Sequence, residues 1–82
     1  MGAIYIIGGM FIYMYAFDHN PPHIHVKSGG REFLIYLDDR TTEGDARPKQ
    51  LKKINEFIDT HEAELYRLWE KAQHGEEITK II

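Results

Sequence analysis

The 82-residue chain contains no cysteine. That absence removes disulfide frameworks, thiolate metal sites and cysteine nucleophiles together, and leaves histidine, carboxylate and hydroxyl chemistry. An excess of basic charge is missing as well. With a formal charge of -3 the chain is neither a basic nucleic-acid module nor an acidic solvating tail, so any contact with RNA or DNA has to use a local patch. There is no length for a second hydrophobic core. A chain of this size buries only about 60% of its unfolded surface, and residues 1–82 are expected to form one small domain. The first seventeen residues carry no charged side chain, yet they lack the basic n-region and small-residue cleavage site of a signal peptide, and Gly8-Gly9 interrupts them. They also fall short of the roughly 20 apolar residues that cross a bilayer. The expectation is buried sheet in a soluble cytoplasmic protein with no membrane association.

Two periods divide what is there. From Met10 to Phe17, Met10, Ile12, Met14 and Ala16 alternate with Phe11, Tyr13, Tyr15 and Phe17, the pattern of a strand apolar on both faces. Asn20-Pro21-Pro22 stops that strand, because proline donates no backbone hydrogen bond and holds its predecessor extended. His23–Lys27 resumes the period of two, with Ile24 and Val26 inward and His23, His25 and Lys27 on the other side. Ser28-Gly29-Gly30 makes the next turn, and Phe33, Ile35 and Leu37 mark a further strand. A short strand over Ala3–Ile7 can join the same sheet. Residues 1–38 therefore predict an antiparallel β-meander, and the polar stretch Asp38–Asp45 reads as a link. Beyond it the period changes to that of a helix. Pro48 suits a first turn, Leu51, Ile54, Phe57, Ile58 and His61 share one helical face, and Leu65, Leu68, Trp69 and Ala72 share another. Asp59 and Glu62 have capping-box spacing, which predicts a break near 59–61 and hence a helical pair over 46–75 ending at Gly75. Residues 76–82 read as a tail or short strand. The predicted class is α+β: a sheet of three to four strands packed against two C-terminal helices.

One segment asks for a chemical explanation. In Asp18-His19-Asn20-Pro21-Pro22-His23-Ile24-His25-Val26, three of the five histidines fall within seven residues beside an aspartate. On an extended strand His23 and His25 point the same way, close enough to share one metal ion or one phosphate. Asp18 or His19, arriving on the preceding turn, completes a three-ligand set. Imidazole and carboxylate suit zinc, manganese, nickel or iron rather than calcium, and an open fourth position makes such a site catalytic. Without metal, His23 and His25 are candidates for acid and base work on a phosphodiester, with Asp18 orienting an imidazole and Lys27 stabilising phosphate charge. The plain alternative is a well-capped hairpin in which Asp18 and Asn20 bond local backbone. His23-x-His25 also resembles the core of the histidine-triad nucleotide hydrolases, with Lys27 where their third alternating histidine falls.

Two further patterns bear on partners. Arg47, Lys49, Lys52 and Lys53 open the first helix, where they oppose the macrodipole. They read either as a solvated face balanced by Glu56 and Asp59 or as a phosphate contact, the latter only if the fold brings them to the histidines. The stripe Phe11, Tyr13, Tyr15 and Phe17 resembles a base-stacking platform. It, or the opposite face of Met10, Ile12 and Met14, is needed as core under the helices.

The block from Met14-Tyr15 through Asp18-His19-Asn20-Pro21-Pro22-His23-Ile24-His25-Val26 resembles the signature of the DUF4160 family of small bacterial and archaeal proteins. The resemblance runs over most of the chain, including the apolar start, the leucine-rich helical half and Trp69. Upstream of the strand, Gly8-Gly9 and an extra apolar stretch depart from the family. The resemblance implies a small cognate partner of the DUF2442 family in a toxin-antitoxin-like gene pair and a toxin role; the histidine cluster itself makes this chain the candidate effector, with RNA or a nucleotide phosphodiester as the expected substrate. Two other expectations stand beside it: a non-catalytic, antitoxin-like module that holds a partner through its aromatic face or free sheet edge, and a metal-binding regulatory domain. An apolar strand near the N-terminus also offers an edge for a homodimer.

Overall fold

A computed structural model describes residues 2–81. Five strands follow one another in chain order, β1 (Tyr5–Ile7), β2 (Met10–Tyr13), β3 (His23–Ser28), β4 (Arg31–Tyr36) and β5 (Thr42–Gly44), and one helix, α1 (Pro48–Gln73), completes the fold. The strands form a single antiparallel meander in the order β1-β2-β3-β4-β5. Alternation sets its two faces. Met10 and Ile12 of β2, Ile24 and Val26 of β3, and Phe33 and Ile35 of β4 are all buried, and the register stacks Ile12 on Val26 and Val26 on Phe33. Against this face α1 lays Ile54, Phe57, Ile58, Leu65, Leu68, Trp69 and Ala72. The methionine and isoleucine side of β2 is thus the core side. The aromatic side carries Phe11, which is exposed, and Tyr13, which is half-buried.

The architecture is α+β as expected, with two differences in count. The sheet has five strands, not three or four: the expected short strand near the start joins it as β1, paired with β2, and a fifth strand is added because the polar Thr42–Gly44 segment, read as a link, pairs with β4. An edge strand of three residues bonds on one side only and needs no apolar face of its own, so the hydrophobic period does not mark it. At Gly44 (φ +106) a Cβ would stand 2.7 Å from the Glu32 carbonyl oxygen, so the close approach of β5 to β4 requires glycine.

The second difference is that α1 is one helix. The expected break survives as a bend at His61, whose φ of -117° and ψ of 22° leave the helical region. Asp59 and Glu62 do not cap a second helix. Both reach Arg40 in the β4–β5 connection, at 2.9 and 3.3 Å, while Arg40 also donates to the Leu37 carbonyl and the Asn55 side chain, each at 3.0 Å. Three-residue spacing placed two acids on one helix face, and a guanidinium claimed them.

The helix ends in a Schellman arrangement: the Gly75 N–H donates to the Ala72 carbonyl at 3.2 Å and the Glu76 N–H to that of Lys71 at 2.9 Å. The tail beyond it packs Ile81 into the core and donates from Ile81 N–H to the Ile4 carbonyl at 2.8 Å, with no strand among its described residues. Gly75 serves twice, since its φ is +70° and a Cβ there would lie 2.7 Å from the Phe17 ring. Gly75→Ala is expected to cost about 1–2 kcal/mol from the left-handed backbone alone, with displacement of Phe17 adding to it. Urea denaturation of both proteins measures the difference.

Candidate functional site

The connection between β2 and β3 carries the chemistry, and α1 holds it in place. Phe17, at a φ of +58° unusual for an aromatic residue, donates its N–H to the Ala72 carbonyl at 3.0 Å. Gln73 Nε2 donates to the Asp18 carbonyl at 2.9 Å, and Trp69 Nε1 donates to Asn20 Oδ1 at 3.3 Å. Three bonds from the last turns of the helix thus fix the backbone on which Asp18 stands. The peptide bond between Asn20 and Pro21 is cis.

Asp18 turns its carboxylate to the start of β3. Its Oδ2 lies 3.0 Å from His23 Nε2 and 2.8 Å from His25 Nε2, while its Oδ1 accepts the His19 N–H at 2.9 Å. His23 is completely buried. Its ring packs between Trp69 and Tyr36, with centroids at 5.2 and 5.4 Å, and its Nδ1 lies 2.8 Å from the Pro21 carbonyl oxygen. A carbonyl and a carboxylate both only accept, so whichever ring nitrogen bonds to its oxygen does so as the proton donor. His25 differs on its other side, where Nδ1 lies at an ion-pair distance of 3.4 Å from Glu32 Oε2 without forming a hydrogen bond. Asp18, His23 and His25 each offer one ligand atom, and the three atoms lie within 4.8 Å of one another.

Burial pushes the Asp18 carboxyl up. The His25 hydrogen bond, the His19 backbone N–H and the charges of His23 and His25 outweigh it, so the group sits below its ordinary value.

The other expected residues take separate places. His19 stands exposed at the rim, its Nδ1 3.1 Å from Asp18 Oδ1 and its ring 4.9 Å from that of His23. Lys27 extends over the aromatic stripe, with Nζ 4.9 Å from the Tyr13 ring centre, and Tyr15 beside it lies 4.6 Å from the His25 ring. Its ammonium is held above the usual lysine range, chiefly by Tyr15. Lys49, Lys52 and Lys53 line a groove of about 400 Å³ with Gly8 and Met10 at the first turns of α1. The site touches the last turns instead, roughly 24 Å further along the helix axis at 1.5 Å per residue. The fold therefore keeps the basic run away from the histidines, and Asp59, expected to balance it, pairs with Arg40.

Sequence reading missed Glu32, Gln73 and the Pro21 carbonyl. Glu32 was within reach of it. The two-residue Gly29-Gly30 turn, both at positive φ, sets Ser28 opposite Arg31 and Lys27 opposite Glu32, which places Glu32 diagonal to His25 on the same side of the sheet. Gln73 lies 55 residues from Asp18 and has no local signal.

A family model described as "Domain of unknown function (DUF4160)" matches residues 9–70, most of the chain, and the chain belongs to that family. No curated protein and no solved structure matches it. Among the described residues no helix is long and apolar enough to cross a membrane.

The depressed Asp18 value gives a pH dependence of definite sign. Its contribution to stability is complete above the ordinary aspartate value of 3.8 and is lost as pH falls below that through the lower folded value. Urea unfolding between about pH 2.5 and 6 is expected to show this loss in the native chain and a shallower one in Asp18→Asn.

Proposed function

We propose that Asp18, His23 and His25 hold one divalent transition-metal ion of the zinc or manganese class, and that the centre hydrolyses a phosphodiester, with RNA as the substrate class. One observation carries the reading: the Nε2 atoms of two histidines converge on a single carboxylate oxygen, while the opposite nitrogen of each ring faces an oxygen acceptor. That is how imidazole ligands are arranged when Nδ1 keeps the proton and Nε2 is left free to bind metal. Three protein ligands leave room for water and substrate, and a metal held there supplies a hydroxide nucleophile near neutral pH. His19, exposed beside Asp18, is placed to exchange a proton with solvent or leaving group. Lys27 brings a cation two residues along the strand from His25, on the exposed side of the sheet.

In this reading the chain is the cytoplasmic effector of a two-protein, toxin-antitoxin-like pair with a small DUF2442-like partner. That assignment is drawn from the resemblance of Asp18–Val26 to the DUF4160 signature alone. A second reading, a module that holds a partner without catalysis, draws on the exposed Ile6 of edge strand β1 and its neighbour Phe11 on β2.

Titration calorimetry on untagged, chelator-free protein tests the centre. One zinc or manganese ion per chain at micromolar affinity or tighter is expected, with metal-dependent cleavage of a single-stranded RNA oligonucleotide. His25→Ala, which alters a ring at the surface of the site, should abolish both while the circular dichroism of the fold persists. Native protein that takes up neither ion sinks the proposal. Metal uptake without RNA cleavage removes the catalytic half and favours a metal-binding or partner-binding module.

A further inference from the structure

Glu32 is the group at this site that nothing in the histidine motif announces. We infer that Glu32 is a positioning residue for His25, holding the proton on Nδ1 and turning Nε2 toward the metal; the inference rests on the metal reading above. The Gly29-Gly30 turn sets the register that delivers it, pairing Glu32 with Lys27 across the strands and diagonal to His25. Its natural cross-strand partner has gone elsewhere, since Lys27 reaches over the Tyr13 ring at 4.9 Å. Among the described residues, His25 is the one basic side chain within 4.0 Å of the Glu32 carboxylate, with Nδ1 at 3.4 Å from Oε2. An imidazole that ligates through Nε2 must keep its proton on Nδ1. A carboxylate that closes from this ion-pair distance to accept that proton would fix the tautomer, limit ring rotation and make the other nitrogen a stronger donor to the metal. The two histidines are therefore backed differently. His23, buried, leans on the neutral Pro21 carbonyl, whereas His25, at the surface of the site, leans on a charged group. Glu32 itself is half exposed, so changing it leaves the core intact.

The test compares native protein with Glu32→Gln and Glu32→Ala. Zinc titration should give one ion per chain in all three, with affinity about 10- to 100-fold weaker in the variants. Their metal-free urea midpoints should match the native one. Nitrogen-15 NMR of the imidazoles supplies a readout that a merely structural role would not move: zinc-loaded native protein should show His25 protonated at Nδ1, and the variants a mixture of ring states. Equal zinc affinity in all three proteins overturns this inference and leaves the metal centre standing. So does a His25 protonated at Nε2 in the zinc-loaded native protein. Native protein that binds no zinc overturns both.

Discussion

A buried imidazole dictates much of this molecule. His23 has no contact with solvent, and each of its ring nitrogens must find a partner inside the protein or cost about 1–3 kcal/mol unmatched. The Pro21 carbonyl meets one and Asp18 the other. Those two partners lie on the connection between β2 and β3, so satisfying His23 fixes the path of that connection. Trp69 and Tyr36 then close over the ring from the helix and from the neighbouring strand. Among the described residues no buried side-chain nitrogen or oxygen is left without a hydrogen-bond partner. The polar cluster is thus part of the core, and its chemistry opens outward only through Asp18, His19 and His25.

The strands with an apolar face were legible because that face has to be buried. Met10, Ile12, Ile24, Val26, Phe33 and Ile35 keep the period of two and are all core. Likewise Ile54, Phe57, Ile58, Leu65, Leu68 and Trp69 mark the buried side of α1. What could not be read there follows from the same physics. Thr42–Gly44 gains its place from backbone bonds to β4 and from the glycine at 44, neither of which leaves a hydrophobic period. The continuity of α1 through His61 was obscured by Asp59 and Glu62, whose spacing fits a cap and a clamp equally well until Arg40 is placed in space. Asp18, His23 and His25 were legible as a cluster because strand parity and a proline turn bring them together locally. Their depth was not. The burial of His23 depends on Trp69, 46 positions away along the chain.

The sheet separates two kinds of surface. One face lies under the helix. The other carries Phe11, Tyr13, Lys27, Glu32 and His25, and it meets the buried cluster at the beginning of β3. His25 belongs to both, since it binds Asp18 below and faces Tyr15 and Glu32 above. On that aromatic side a cation over tyrosine rings and a carboxylate on the next strand set the local field around His25.

The end of α1 is also the floor of the site. Ala72 and Lys71 accept the bonds that terminate the helix, and Ala72, Gln73 and Trp69 hold the connection that carries Asp18. Fraying of that last turn therefore releases the connection that carries Asp18 and parts its carboxylate from His23 and His25, which stay on β3. By linkage, anything that bound Asp18 only while it stands beside the two histidines would raise the free energy of that opening with the logarithm of its concentration over its dissociation constant. If the proposed metal binds there, the amides of Phe17, Gly75 and Glu76 would exchange more slowly on its addition, because they close the same turn.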